Sequence, residues 1–401
     1  MSAAPMASSA PVAGDAFAAG GTLRFALVGC GVIGRVHAEV IATYPDLALT
    51  VLVDAKPERA VQLAERLARD FGEPAPAVTA SLTEALARDD IDVVVVAVPS
   101  GSHAEICVPV LQSGRHLVVE KPVDVTLAAA RRIADAAAAA TGCVATVISQ
   151  HRFDPASIAV HEAIATGALG RIGSAVATVP WWRSQGYYDS GDWRGTRALD
   201  GGGALINQGI HTVDLLLWLL GRPVEVMART ARAAHERIDV EDTVAAVIVF
   251  ESGALATLHA STAAYPGLTV RLTVLGERGS AVLDNDRLAY LHSRSLDPDA
   301  GSDDRSGRGV GGAGNQAAQV LPGEQTGSVV GGGPGTSSMV IGHRRQYADI
   351  VRAIRTGTAP GMGIADAVAA LATVRAIYQS ADGSAPVRVA EIFTDPEGTA
   401  P

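Results

Sequence analysis

The strongest constraint on the fold of this 401-residue chain is a glycine pattern that directly follows an apolar strand. Gly29, Gly31 and Gly34 have the spacing Gly-x-Gly-x-x-Gly, and a helical segment continues from them to about residue 43. A second strand ends in Asp54, about 20 residues beyond the last glycine. This order of strand, glycine turn, helix, strand and acidic residue is typical of a dinucleotide-binding βαβ unit.

The same segment predicts how a dinucleotide is held. We expect the loop backbone to approach the pyrophosphate, whose negative charge then lies at the N-terminus of the helix. The residues expected there are Gly29, Gly31, Val32, Ile33 and Gly34. Asp54 is expected to accept hydrogen bonds from the adenosine ribose. Because this carboxylate repels a 2'-phosphate, NAD is favoured, but Lys56 and Arg59 partly offset the repulsion and keep NADP as an alternative.

The alternation of strands and helices continues to about residue 150, which predicts a doubly wound parallel sheet. Ligands of such sheets lie beyond the carboxyl ends of the strands, and two strand ends carry candidate residues. These cofactor candidates are Pro99, Ser100, His103, Glu120 and Lys121. A packing role at a helix start is an equal alternative for His103.

Lys121 is the candidate for a chemical role in this half. An ammonium at the carboxyl end of a strand points toward the cofactor crevice, where it can stabilise a developing alkoxide. The alternative interpretation is an ordinary salt bridge with Glu120 or with a surface acid.

A second unusual segment runs from Gly201 to Asp214 and places polar side chains on an apolar helix. Asn207, His211 and Asp214 recur at i, i+4 and i+7, which predicts that they share one face. Histidine and aspartate can transfer protons, and the three glycines at 201–203 allow close approach of the backbone. The alternative interpretation is a buried polar face that backbone groups satisfy.

Residues 180–197 contain three of the four tryptophans in a chain that is only 4% aromatic. Aromatic faces beside charged hydrogen-bonding groups suit a sugar or cyclitol, and a mobile aromatic loop can close over a nicotinamide. Packing anchors or a subunit contact are the alternative. The residues predicted to bind substrate are Arg183, Tyr188, Arg152 and Asn207.

The second half predicts an α+β domain. Strand-like segments separated by turns occur at 224–230, 243–250, 254–261, 268–275 and 280–283, which indicates a large, mostly antiparallel sheet. A helix is expected from His343 to about Arg355. The predicted divisions are a disordered tail over 1–21, a Rossmann domain over 22–150, a substrate-binding and oligomerisation domain over 151–390 with a flexible insertion at about 293–338, and a tail over 391–401.

Bulk properties limit the partners. The net charge of -10 argues against nucleic acid and anionic membrane surfaces. No apolar run approaches the roughly 18 residues of a membrane helix. Three widely separated cysteines suggest neither a disulfide framework nor a metal site, which favours a cytoplasmic protein with a small-molecule partner.

Together these motifs resemble the Gfo/Idh/MocA oxidoreductases, which include glucose-fructose oxidoreductase and inositol dehydrogenases. The resemblance extends from about Leu23 to Val389, apart from the insertion. The matching motifs are Gly29-x-Gly31-x-x-Gly34, Glu120-Lys121-Pro122, Phe153-Asp154-Pro155, Asp192-Trp193-Arg194-Gly195, Gly201-Gly202-Gly203 with His211 and Asp214, and His343-Arg344-Arg345-Gln346.

The resemblance implies several roles. Lys121 would lie near the reacting carbon, His211 would be the acid-base group, and Trp193 and Arg194 would contact the cofactor. The open face of the second sheet would pair subunits in a homo-oligomer, a dimer or a tetramer. The position of Asn207 is often aspartate in the family; since an asparagine cannot relay a proton, it would orient substrate or Lys121.

The expected activity is transfer of hydride between a nicotinamide and a secondary alcohol or ketone of a sugar, sugar derivative or cyclitol, without a metal. Two other classes stay open. One is a glycosidase that uses a retained NAD transiently, and the other is a non-catalytic nucleotide-binding sensor. A dehydrogenase exchanges NAD during turnover, a glycosidase retains it, and a sensor binds it without reaction.

Overall fold

The computed structural model describes residues 21–72, 74–296, 314–323 and 336–393, with side chains from residue 339 onward in the last range. The predictions for residues 1–20, for most of the insertion and for residues 394–401 lie outside the described residues. Within the described ranges, each helix is too short or too polar to cross a membrane.

The first sheet is fully parallel and has the strand order β3-β2-β1-β4-β5-β6. Its strands are β1 Leu23–Val28, β2 Leu47–Val53, β3 Ala77–Thr79, β4 Val93–Val96, β5 His116–Val119 and β6 Ala145–Val147. The helices between them are α1 Val32–Ala42, α2 Pro57–Phe71, α3 Leu82–Leu86, α4 His103–Gln112 and α5 Leu127–Ala139. All four valines of β4 are fully buried because helices cover both faces. The predicted doubly wound fold is confirmed.

The second sheet has eight strands in the order β13-β12-β11-β7-β10-β9-β8-β14. They are β7 Ile172–Pro180, β8 Pro223–Ala231, β9 Thr243–Phe250, β10 Leu255–Ser261, β11 Arg271–Gly276, β12 Gly279–Asp284, β13 Arg287–Ser293 and β14 Val387–Arg388. Only the β7–β10 pair is parallel, which confirms a mostly antiparallel sheet. The sequence prediction missed β7, β13 and the two-residue strand β14.

Seven helices accompany the second sheet in the described ranges. They are α6 Pro155–Ala165, α7 Gln185–Tyr188, α8 Ile210–Leu220, α9 Ala317–Val320, α10 Thr336–Thr356, α11 Ile364–Gly383 and α12 Val389–Ile392. Buried residues of α8 and α11 share one core with the inward-facing side chains of the sheet. Exposed and buried positions alternate along β9 and β10, so the opposite face of the sheet is open.

Two predictions about the second half need correction. Residues 314–323 belong to the folded domain, since Gln316 is buried and its side-chain oxygen accepts a hydrogen bond from Ser293 N at 2.7 Å. The helix predicted from His343 begins earlier, at Thr336. Its apolar residues Tyr347, Ile350 and Val351 join the core of the first sheet, so α10 crosses back from the second domain.

Candidate active site

The glycine loop is shaped by close backbone contacts. A Cβ on Gly34 would lie 1.9 Å from the carbonyl oxygen of Gly29, and a Cβ on Gly29 would lie 2.4 Å from the carbonyl oxygen of Ala97. A Cβ on Gly31 would meet nothing within 4 Å. Two glycines therefore let α1 pack tightly against the strands, and the third leaves open space at the loop.

The start of α1 and Asp54 offer groups that suit a dinucleotide. No side chain in the described residues caps the N-terminus of α1, so its first N–H groups can bind an anion. The Asp54 carboxylate accepts hydrogen bonds from Cys30 N and Lys56 N, both at 2.8 Å. These bonds fix Asp54 against the glycine loop at the carboxyl end of β2, where ribose hydroxyls bind in such folds.

The loop after β4 carries Pro99 and Ser100 and contacts the second domain, since Gly101 N donates to the carbonyl oxygen of Leu199. His103 is fully buried, and its ring nitrogens lie 2.9 Å from Pro122 O and 3.1 Å from Val98 O. These contacts favour the packing role that the sequence left open for His103.

The Glu120 side chain is buried and contacts two histidines. Its Oε1 lies 3.0 Å from Nε2 of His37 and 3.3 Å from Nε2 of His343, and His37 Nδ1 lies 2.8 Å from the Tyr347 hydroxyl. Burial opposes ionisation, but hydrogen bonds from His343 and His37 hold the pKa of Glu120 well below its usual value. Glu120 thus links β5, α1 and α10, and its side chain does not fit the predicted role in cofactor binding.

Lys121 lies at the junction of the two domains. Its Nζ donates a hydrogen bond of 3.0 Å to the backbone carbonyl of Asn207. Burial lowers the pKa of Lys121; Glu120 and Asp200 oppose the shift, while Arg194 and Arg183 add to it. The ammonium is therefore fixed in a buried position among both carboxylates and guanidinium groups.

Asp200 was not identified from the sequence, although it directly precedes the three glycines. Its carboxylate is 2% exposed and accepts a hydrogen bond from Gly195 N at 2.8 Å. Burial raises the pKa of Asp200, while the Asn207 side chain, Lys121 and Arg194 favour its ionised form. Asp200 consequently connects the aromatic segment, residues 180–197, with the catalytic centre around Lys121 and Asn207.

The helix that carries Asn207 and His211 begins with a π-helical turn, Leu205–Gly209, which continues into α8. The turn is held by Glu241, which accepts hydrogen bonds from Gly203 N and Leu205 N, both at 2.9 Å. A Cβ on Gly203 would lie 1.6 Å from the Glu241 carbonyl oxygen, so only glycine fits there. Burial raises the pKa of Glu241 to about 7 against these bonds. Such π-helical turns often occur at functional sites.

His211 contacts a second histidine, His151, with their ring centroids 5.0 Å apart and the planes nearly perpendicular. Burial, the His151 charge and the Lys121 charge lower the pKa of His211 well below its usual value. Burial also acts on His151, but Asp286 and Asp154 hold its pKa well above the usual value. Its Nδ1 lies 2.7 Å from Asp286 and 3.2 Å from Asp154. The two touching rings therefore have pKa values shifted in opposite directions.

Arg152 and Asp214 bind each other. Arg152 Nε and Nη2 donate to the two carboxylate oxygens of Asp214 at 2.8 and 2.6 Å, and Ser149 Oγ also donates to Asp214. Both residues are buried. The predictions of Arg152 as a substrate ligand and Asp214 as a proton-transfer group are wrong, because each satisfies the charge of the other.

The aromatic segment divides into packing residues and residues near the catalytic centre. Tyr188 is 5% exposed, and its hydroxyl lies 2.7 Å from Thr262 Oγ1, so it packs in the interior and is not a substrate ligand as predicted. The Arg194 guanidinium lies 4.3 Å from the Trp193 ring centroid. Arg183 and Arg194 both lie against the Tyr187 ring, with guanidinium carbons 5.1 and 4.4 Å from its centroid.

The parallel sheet, its glycine loop and the neighbouring lysine and neutral histidine define an NAD-binding oxidoreductase. Residues 23–148 match the model of the oxidoreductase family with an NAD-binding Rossmann fold, and residues 158–282 match the GFO/IDH/MocA C-terminal domain. The chain belongs to the GFO/IDH/MocA oxidoreductase family, and its activity class is NAD-dependent dehydrogenase.

Named relatives agree with this assignment. Inositol 2-dehydrogenase of Rhizobium meliloti (strain 1021) is 30% identical over 272 residues, which is 66% of this chain and 77% of that protein. The WlbA dehydrogenase from Bordetella pertussis, solved with NADH and UDP-GlcNAcA, has a TM-score of 0.75 and 29% identity, covering 92% of this chain and 98% of that chain. Levoglucosan dehydrogenase, solved with NADH and levoglucosan, has a TM-score of 0.75 and 26% identity over 92% and 99% of the two chains.

Proposed function

We propose that this protein oxidises a secondary alcohol of a sugar, sugar derivative or cyclitol with NAD, and reduces the corresponding ketone in the reverse direction. The observation that carries the proposal is the hydrogen bond that fixes Lys121, at the carboxyl end of β5 in a dinucleotide-binding sheet, to the Asn207 carbonyl at the start of the helix that carries His211. The relatives named for inositol and levoglucosan oxidation support the substrate class.

The glycine loop and Asp54 would hold the dinucleotide, since the uncapped N–H groups at the start of α1 suit its negative charge. Bound NAD supplies the hydride acceptor. His211 removes the hydroxyl proton of the substrate, and Lys121 stabilises the negative charge that develops on the alcohol oxygen. The carbon loses one hydride and the oxygen loses one proton, so the products are a ketone, NADH and a protonated His211.

The electrostatics suit this division of roles. Because burial, His151 and Lys121 lower the pKa of His211, its ring is ready to accept a proton at neutral pH. Lys121 donates a hydrogen bond to the Asn207 carbonyl, so the backbone of the π-helical turn orients the ammonium. The Asn207 side chain is an amide and cannot take up the substrate proton, so His211 is the group that removes it.

We also propose that the protein forms a homo-oligomer through the open face of its second sheet. Met227 on β8, Val247 on β9 and Val176 on β7 lie in one row that crosses β10, and each of the three is more than 40% exposed. An apolar patch of this kind is typical of a protein interface. Light scattering after size-exclusion chromatography tests the proposal: Val247→Asp should shift the mass toward the monomer.

The activity is tested by following NADH absorbance with purified protein, NAD and a panel of cyclitols, sugars and sugar acids. NADH formation with one subgroup, lost in His211→Ala and kept in the surface control His292→Gln, is the expected result. No NADH formation with any substrate, and no oxidation of NADH by the ketones, would contradict the proposal. Retention of one NAD through turnover without NADH release would instead identify a glycosidase, and NAD binding without either reaction a sensor.

A further inference from the structure

We propose that Glu241 and Tyr378 are positioning residues of the catalytic centre. Together they fix the π-helical turn whose Asn207 carbonyl holds Lys121. The inference rests on the proposed function and adds two residues to it, one in the loop before β9 and the other on α11. It follows from the hydrogen bonds that the backbone makes at the start of this turn.

The four N–H groups at the start of a helix have no carbonyl within the helix to bind. Here they belong to residues 203–206, because the N–H of Asn207 bonds as in an α-helix, to Gly203 O at 3.2 Å. The helix has no side-chain cap of its own, since alanine occupies the cap position, residue 204. The partners of these four groups must therefore come from elsewhere in the chain.

Glu241 binds the first three of these groups. Its carboxylate accepts hydrogen bonds from Gly203 N and Leu205 N, both at 2.9 Å, and its backbone carbonyl accepts one from Ala204 N at 3.1 Å. Each carboxylate oxygen has one of the two N–H groups, and a carboxylate is the kind of group that the positive end of a helix favours. A buried residue 36 positions beyond Leu205 thus caps the turn.

Tyr378 binds the fourth group from α11. Its hydroxyl accepts a hydrogen bond from Ile206 N at 3.3 Å and donates one to Glu241 Oε1 at 3.0 Å. The approach is close, because a Cβ on Gly202 would lie 2.3 Å from this hydroxyl, just as a Cβ on Gly203 would overlap the Glu241 carbonyl. Two of the three glycines at 201–203 therefore make room for the two capping residues.

The capped turn determines where Lys121 lies. Asn207 follows the four capped groups directly along the chain, and its carbonyl accepts the bond of 3.0 Å from Lys121 Nζ. His211 is held differently, because it lies one turn further on, in α8, whose apolar residues are buried in the core. A shift of the turn would therefore displace the ammonium first, and a displacement of about 1 Å at a reacting group can lower a rate by about 10²-fold.

Glu241→Gln tests the proposal with almost no change of shape. An amide keeps one acceptor oxygen, but its NH₂ group would face a backbone N–H and leave that N–H without a partner. The expected result is a decrease in kcat of about 10- to 100-fold, while KM and the NAD dissociation constant change by less than about threefold. Tyr378→Phe removes the bonds to Ile206 N and Glu241 and should lower kcat by about 3- to 10-fold.

Asp92→Asn is the matched control. Asp92 also accepts a hydrogen bond from a backbone N–H, that of Arg24 at 2.8 Å, but at the amino ends of β1 and β4. Its substitution should leave kcat unchanged. Thermal unfolding and NAD affinity show whether each variant is folded. A decrease in kcat that follows the loss of thermal stability in all three variants would indicate a purely structural role and overturn the inference.

A double variant shows whether the effect passes through Lys121. If the capped turn acts by placing the ammonium, Glu241→Gln should lower kcat by less than about threefold in the Lys121→Ala protein, where no ammonium remains. An equal loss of kcat in both backgrounds, or an unchanged kcat in Glu241→Gln alone, would overturn the inference and leave the dehydrogenase proposal intact.

A crystal structure of Glu241→Gln gives a readout that needs no substrate. The distance from Lys121 Nζ to Asn207 O is expected to exceed about 3.5 Å, so that the hydrogen bond is lost. If no compound reduces NAD, a displaced ammonium in this structure would support the positioning role while the proposed oxidation fails. A turn and an ammonium in their wild-type positions would overturn the inference.

Discussion

The cofactor edge and the catalytic centre differ in the groups that form them: mainly backbone groups of one local unit in the first, and side chains from distant parts of the chain in the second. The cofactor edge, which is the glycine loop with Asp54, consists of backbone groups and one carboxylate from a single βαβ unit. Asp54 accepts hydrogen bonds from Cys30 N and Lys56 N. The catalytic centre brings together side chains from positions 121 to 286, and its charges interact through a buried interior.

This difference separates two kinds of function. Backbone N–H groups bind a dinucleotide without regard to substrate, so the cofactor edge requires only a local conformation. Chemistry requires groups whose proton affinities differ, and these depend on which charges the fold places next to each other. His151 and His211 show this most clearly, because two histidines in contact have pKa values shifted in opposite directions.

Removal of Lys121 should have the largest effect. Lys121→Ala is expected to lower kcat by about 10³-fold, because a fixed cation at a developing alkoxide is worth several kcal/mol. The dissociation constant for NAD should change by less than about threefold. Steady-state kinetics at saturating NAD and a fluorescence titration measure the two quantities. Near-normal turnover in this variant would remove the proposed role of Lys121.

Substitution of Asp54 should give the converse result. Asp54→Ala is expected to weaken NAD binding by about 10- to 100-fold, since it loses the ribose acceptor and the bonds that hold Cys30 N and Lys56 N. At saturating NAD, kcat should stay within about threefold of the wild-type value, and the preference for NAD over NADP should decrease. Asp54→Asn is the control that keeps an acceptor but removes the charge. A large loss of kcat in Asp54→Ala would mean that the two regions are not independent.

Substitution of His151 should shift the pH dependence of oxidation. In the wild type, the acid limb of kcat/KM is expected below the usual histidine pKa of 6.5, because burial and the His151 and Lys121 charges disfavour protonation of His211. His151→Phe removes one of these cations and takes away the histidine partner of Asp286, so the acid limb should move up by about one pH unit. His292→Gln is the matched control. An acid limb of kcat/KM at the same pH in His151→Phe would show that the His151 charge has no influence on the pKa of His211.

The same depressed pKa affects stability. Below pH 6.5 the unfolded chain protonates this histidine while the folded protein does not, so stability decreases as pH falls below 6.5.

Substitution of Asn207 should have the smallest effect. Its backbone carbonyl, not its side chain, accepts the bond from Lys121, so Asn207→Ala should keep the ammonium in place. A decrease in kcat of less than about tenfold is expected, from loss of the amide beside Asp200. A decrease as large as that of Lys121→Ala would show that the side chain orients substrate directly. Crystallographic or NMR comparison of Lys121 in the variant separates the two explanations.

Some predictions failed because the partner of a side chain is remote in sequence. Arg152 is bound by Asp214, 62 residues away, and Tyr188 by Thr262, 74 residues away. The sequence could not show that these groups already have partners. The role of Glu120 could not be predicted for the same reason, since its partners His37 and His343 lie 83 and 223 residues away. Asp200 and His151 were overlooked because their importance depends on neighbours that only folding provides.

The sequence by itself determined the Rossmann unit, the family and the positions of the lysine and histidine, because strand periodicity, glycine spacing and strand ends are local properties of the chain. Only the tertiary structure decided that burial and neighbouring charges lower the pKa of His211, that Arg152 pairs with Asp214, and that α10 completes the first core. These features follow from burial and from distances between remote residues, and electrostatic free energies in a protein interior depend on both.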